Sequence, residues 1–115
     1  MASEHEDCIF CDIAKRNHPA DIIMENDSVF VIRDIMPKAP VHFLVISKQH
    51  IISVNNLTED DSKLIAEMVL AAKAQAQADG IADKGYKLIW NVGKHGGQVI
   101  QHLHLHVMGG KQLAE

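Results

Sequence analysis

The chain has 115 residues, 47% hydrophobic and 23% charged, with a formal net charge of −4. That is one domain, 1–115, large enough to bury its own core. The acidic balance supplies no basic face for nucleic acid, and no apolar run approaches the roughly 20 residues that span a bilayer.

The polar start, MASEHEDC, resembles neither a secretory signal nor a transit peptide, so the cytoplasm is the expected location. Cys8 and Cys11 follow, spaced C-x-x-C. In a cytosolic chain that spacing reads as metal binding or redox before structural disulfide. Only polar sequence precedes it, where a redox pair normally follows a strand, so the redox reading is weak. Ile9, Phe10, Ile13 and Ala14 at helical spacing predict a short amphipathic helix, ended at NHPA because Pro19 disfavours helix before it. DIIMEN and SVFVIRD predict a hairpin, MPKAP a rigid loop, and VHFLVIS a strand.

Thr58 suits a helix N-cap, with three acidic residues in the first turn. Leu64, Ile65, Met68, Ala71, Ala72 and Gln75 form one stripe of a long helix that Gly80 stops. YKLIWN reads as a strand, VGKHGGQ as a Gly-rich loop and IQHLHLHVM as the last strand. Helix, strands, long helix, strands is the order of an α+β domain with an antiparallel sheet.

In a strand, His102, His104 and His106 share one face, while Leu103, Leu105 and Val107 turn to the core. A purely structural face of three imidazoles would need a partner for every ring nitrogen. Two chemical readings remain. Alternating histidines can chelate a metal. A neutral imidazole can also attack phosphorus, with its neighbours moving protons. The loop Gly93–Gln98 favours the second, since glycines let backbone N–H groups approach an anion. Asn91 offers an amide to the same region, although Asn before such a loop is often only a turn former.

His102-Leu-His104-Leu-His106-Val107-Met108 resembles the histidine triad (HIT) signature. The likeness extends through CIFCDIAKRNHPADIIMENDSVFVIRDIMPKAPVHFLVISKQHI and GYKLIWNVGKHGGQVIQHLHLHVMGG, nearly the whole chain. It is strongest to the bacterial-type, nucleotide-binding branch of nucleoside phosphoramidate hydrolases. The resemblance implies a homodimer, a five-stranded antiparallel sheet in each subunit with a short N-terminal helix and one long central helix, and hydrolysis of a purine nucleoside 5′-phosphoramidate or related adenylate.

By that resemblance His104 is the nucleophile that forms a nucleotidyl-histidine intermediate, His102 supports it and His106 contacts phosphate or leaving group. His42 matches a histidine behind the triad. Asn91 and the backbone of Gly97, Gln98 and Val99 match phosphate contacts, and Asp34 matches the ribose-binding acid. Asp34 would otherwise read as a strand-end cap. Ile9, Phe10, Ile13, Ile32, Ile35 and Leu44 match an apolar base pocket, though periodicity alone makes them core. A third histidine, rather than glutamine, resembles the hydrolases and not the hexose-phosphate uridylyltransferases of the same family. No cofactor is implied for catalysis. Cys8, Cys11, His50 and His102 match the ligands of the structural zinc found in part of the family, and two thiolates with two imidazoles suit tetrahedral zinc.

Two departures bear on the leaving group. Val99 stands where several relatives of this branch carry serine. The chain ends at Glu115, nine residues past His106, and a more open leaving-group side is expected. Alternative readings are a dinucleoside polyphosphate hydrolase, which differs only in leaving group, and a nucleotide-binding adaptor with incidental catalysis, whose hallmark would be a damaged triad. A zinc-binding interaction module is a further one, raised by the two cysteines and eight histidines.

Overall fold

A computed structural model describes residues 8–115. The N-terminal stretch MASEHED lies outside the described residues. Two helices and five strands follow in order: α1 (Ile9–Ala14), β1 (Ile22–Glu25), β2 (Val29–Arg33), β3 (Val41–Ser47), α2 (Ser62–Ala78), β4 (Tyr86–Ile89) and β5 (His104–Gly109). The strands make one antiparallel sheet in the order β1-β2-β3-β5-β4. This is the expected α+β architecture. Among the described residues, no helix is long and apolar enough to cross a membrane.

Period-2 alternation sorts the sheet into two faces. Val29, Val31, Phe43, Val45, Leu105 and Val107 are buried on one face, under Met68, Ala71, Ala72 and Ala76 of α2. Small residues on α2 let the helix lie close to the bulky β-branched surface. Phe30, Ile32, Leu44 and Ile46 point to the other face, where α1 covers them with Phe10 and Ile13. In the β3–β5 register Leu44 pairs with His106 and Ile46 with His104, so both histidines belong to the α1 face.

The expected cap at Thr58 is present as a capping box with Asp61, but the first turn, Glu59–Asp61, is 3₁₀ and the α-helix begins at Ser62. The helix ends at Ala78, and Gly80 lies just past the Asp79 cap with a φ of 75° that suits a residue without Cβ. Arg33, at the end of β2, forms a two-pronged pair with Asp79 at the C-cap of α2, one prong at 2.9 Å. That pair ties the helix end to the sheet. Glu25 joins Arg16 and Lys48 on the other side, fixing the exit of α1.

Two expected strands are shorter than the pattern implies. The last strand begins at His104, not at Ile100, and His102 lies on the turn before it. The His102 ring is the reason. Its Nε2–H reaches the Ser47 carbonyl at 2.6 Å, the Leu103 N–H bonds the Ile51 carbonyl at 2.7 Å, and the regular ladder stops. A side chain has displaced the main-chain partner that strand pairing needs. The strand YKLIWN likewise closes at Ile89, with Trp90 and Asn91 beyond it.

Candidate active site and metal-ligand cluster

His104 sits at the start of β5, 8% exposed, with its ring against Phe10 (centroids 5.2 Å) and His106 (5.1 Å). Its Nδ1 lies 2.6 Å from the His102 carbonyl oxygen. A carbonyl only accepts, so Nδ1 carries the proton and Nε2 keeps its lone pair. Burial pushes the His104 pKa down, holding that neutral form. The backbone of one triad residue thus sets the tautomer of the next.

His106 is half-buried and adjustable. Its Nδ1 is 3.0 Å from His42 Nε2. His42 Nδ1 accepts the Lys38 N–H at 3.1 Å, so in neutral His42 the proton is on Nε2, which donates to His106 Nδ1. That leaves the His106 proton on Nε2. Asp34 Oδ2 is 3.3 Å from the same His42 nitrogen, a second acceptor for its N–H. Asp34 Oδ1 meanwhile accepts the Met36 N–H at 2.8 Å, so Asp34 is a strand-end cap and a member of the histidine chain at once. Burial, with the neighbouring His104 and His42, lowers the His106 pKa to about 4. Burial also lowers that of His42, against the pull of Asp34.

The Gly-rich loop is built from its own hydrogen bonds. The Gly97 and Gln98 N–H groups bond the Lys94 and Gly93 carbonyls, both at 3.1 Å. Gln98 is buried, accepting from the Gly93 N–H and donating to the Ile52 and Ile100 carbonyls. Asn91 Nδ2 donates to the Gly96 carbonyl at 2.7 Å. These expected phosphate contacts are therefore engaged within the loop, which they stiffen. Val99, 88% exposed, is the position of that run whose N–H has no bond among the described residues.

Phe10, Ile13, Ile32 and Leu44 come together in one apolar cluster beside the histidines. Ile9 is exposed at its rim. Ile35 is 95% exposed on the loop after β2 and does not join it. A cleft of about 850 Å³ lies between the C-terminal tail and the α2–β4 turn and is lined by none of the histidines.

On the other side of His102, Cys8, Cys11, His50 and His102 bring one ligand atom each within 4.8 Å of one another. His102 Nδ1 is 3.1 Å from Cys8 Sγ and 3.5 Å from Cys11 Sγ, and His50 Nδ1 is 3.2 Å from Cys11 Sγ. With Nε2–H on Ser47 O, His102 aims its Nδ1 lone pair at the sulfurs. A backbone carbonyl orienting a ligating imidazole is the usual support of a metal-bound histidine. The donor set fits a thiophilic divalent ion. Burial, and then the neighbouring Cys8, push the Cys11 thiol up to about 12.

Sequence reasoning missed Ser47 and Lys38. Both act through their backbone, which carries no residue signature.

A family model described as "Scavenger mRNA decapping enzyme C-term binding" matches residues 7–114. The chain is 40% identical over 108 residues to the purine nucleoside phosphoramidase of Escherichia coli (strain K12), covering 94% of this chain and 91% of that one. It superposes on the HIT family hydrolase of Legionella pneumophila with a TM-score of 0.91, at 44% identity over 93% of this chain and 96% of that chain. A zinc-bound histidine triad family protein of Mycobacterium smegmatis superposes with a TM-score of 0.80, at 31% identity over 90% and 75%. The chain belongs to the histidine triad family.

Proposed function

We propose that this protein hydrolyses purine nucleoside 5′-phosphoramidates, and related adenylates, through a covalent nucleotidyl-His104 intermediate. The observation that carries the reading is the His104 ring: Nδ1–H is fixed on the His102 carbonyl, so the lone pair of Nε2 is presented next to His106. The 40% identity to a purine nucleoside phosphoramidase supports the substrate class.

The base lies against Phe10, Ile13, Ile32 and Leu44, and Asp34 accepts the ribose hydroxyls. The substrate's negative charge, arriving beside His106, favours its protonated form. His42 then turns its N–H from His106 Nδ1 to Asp34 Oδ2. His104 Nε2 attacks phosphorus, the P–N bond breaks, and His106 gives its Nε2 proton to the departing amine. Water next attacks phosphorus as the bond to His104 Nε2 breaks, and yields its proton to His106, restoring both histidines and releasing the nucleoside monophosphate. The Val99 N–H is placed to hold a phosphoryl oxygen.

Cys8, Cys11, His50 and His102 would hold a structural zinc, which supplies a fixed cross-link between α1 and the sheet and no step of the reaction. β4 is an edge strand with Leu88 39% exposed, which supports a second copy pairing along it to give a homodimer.

The test is AMP release from adenosine 5′-phosphoramidate, wild type beside His104→Ala. Release by the wild type, reduced by about 10⁴-fold or more in the variant with AMP binding retained, is expected. Equal rates would refute the nucleophile. Faster turnover of a dinucleoside polyphosphate would reassign the leaving group.

A further inference from the structure

Cys8 and Cys11 are joined to the catalytic histidines by more than a ligand set. Cys8 is the N-cap of α1, and its Sγ accepts the Cys11 N–H at 3.3 Å, so the chain turns the two sulfurs toward each other. Their separation is no more than 4.8 Å. Cys8 is half-buried and Cys11 buried, which gives one thiol that a small oxidant reaches and one behind it. Between them in sequence stands Phe10, edge-on to both His102 (5.7 Å) and His104 (5.2 Å). The polar sequence before Cys8 argues against a redox pair. The structure supplies the other half of the usual arrangement, since the pair does open a helix with its sulfurs close together.

We propose that Cys8 and Cys11 form a peroxide-sensitive dithiol whose oxidation to a disulfide disables the nucleotide site. Cys8 Sγ attacks one oxygen of hydrogen peroxide, giving a sulfenic acid and one water. Cys11 Sγ then displaces the sulfenic hydroxyl as a second water, and the S–S bond forms. The thiols lose two electrons and the peroxide gains them.

The consequence follows from distances. A disulfide draws the sulfurs to about 2 Å and takes them from His102 Nδ1, where they lie at 3.1 and 3.5 Å. The His102 ring loses two of its neighbours, and its carbonyl is what holds the His104 tautomer. Phe10, carried on the same turn, shifts against His104 and in the apolar cluster. Metal held by the same sulfurs would block the reaction, so the metal-free protein is the sensitive form. The effect on turnover rests on the proposed phosphoramidase reading; the thiol chemistry and nucleotide binding do not.

The experiment treats metal-free and zinc-loaded protein with hydrogen peroxide and reads intact mass, free thiols, AMP affinity and AMP release. Metal-free protein should lose two hydrogens and both thiols without gaining oxygen. Its AMP affinity should fall roughly tenfold, a displacement-sized effect on a preorganised site, and dithiothreitol should restore it. Zinc-loaded protein should keep both thiols under the same exposure. Cys8→Ser protein, whatever its activity, should form no intrachain disulfide. Survival of both thiols in the metal-free protein overturns the proposal, as does over-oxidation of Cys8 with Cys11 untouched. A disulfide that leaves AMP affinity unchanged overturns the coupling. If no phosphoramidate turnover is found in any sample, the function reading fails, while thiol count and AMP affinity still decide this one.

Discussion

The two ends of the triad are held in opposite ways. His102 is fully buried, with Nε2 on the Ser47 carbonyl and Nδ1 against two sulfurs. Both ring nitrogens are engaged, which holds the ring in place. His106 is half-buried, and its partner His42 has a choice of acceptors, His106 Nδ1 at 3.0 Å or Asp34 Oδ2 at 3.3 Å. The same residue type, four positions apart, is a fixed anchor at one end and, in the proposed reaction, the proton carrier at the other. The difference comes from what each ring nitrogen faces, which a spacing pattern does not encode.

Paired alanine substitutions should separate the two. His106→Ala should lower turnover by roughly 10²–10⁴-fold, the usual reach of general acid–base catalysis, with little loss of stability. His102→Ala should instead cost about 2–4 kcal/mol of folding free energy, since it opens a cavity and leaves the Ser47 carbonyl without its partner. Denaturant titration beside single-turnover kinetics checks both. If His106→Ala is the less stable of the two, the division is wrong.

A smaller effect tests the alternative acceptor. Asp34→Asn keeps the cap on Met36 but weakens acceptance from His42. It should lower kcat by roughly tenfold in addition to any rise in KM; a change confined to KM would limit Asp34 to sugar binding. Imidazole NMR sharpens the same point. In free protein His106 should titrate at about 4, and bound AMP should raise that value because the phosphate charge favours imidazolium. An unchanged value would deny His106 a role at the phosphate.

The smallest effect should come from a residue remote from both ends. Asp79→Asn removes the Arg33 pair, partly exposed to solvent, and should cost about 1 kcal/mol at neutral pH with turnover unchanged. The sign with pH is fixed. Arg33 holds the Asp79 pKa below its ordinary value, so its stabilisation is full above the unfolded pKa and fades as pH falls through the folded one. The gap between wild type and variant should therefore close below pH ~4. Thermal unfolding across pH checks it.

Much of this was legible in the sequence. Alternation in HLHLHVM sent Leu103, Leu105 and Val107 to the core and the histidines away from it, because period 2 is a property of the strand itself. The order of elements gave the fold class, and the resemblance in H-x-H-x-H named the family before any coordinates. The zinc-ligand set, Cys8, Cys11, His50 and His102, was implied only through that resemblance, since its members lie up to 94 positions apart. What escaped has a common cause. The early end of β5 follows from a side-chain-to-carbonyl bond, His102 on Ser47. The engagement of Asn91 and Gln98 inside their own loop follows from local turn geometry. Ile35 matched the pocket by position, but the loop after β2 carries it into solvent. Each depends on where one backbone carbonyl or one loop points, and composition is silent on that.

In the proposed reaction His104 Nε2 becomes bonded to phosphorus. Rapid acid- or base-quench of a single turnover of adenosine 5′-phosphoramidate, followed by peptide mapping, tests it directly. An adenylyl group on His104 is expected, appearing and decaying at rates that match AMP release, and absent in His104→Ala. An adduct on His106 or His42, or full-rate AMP release with no adduct at any time, would contradict it.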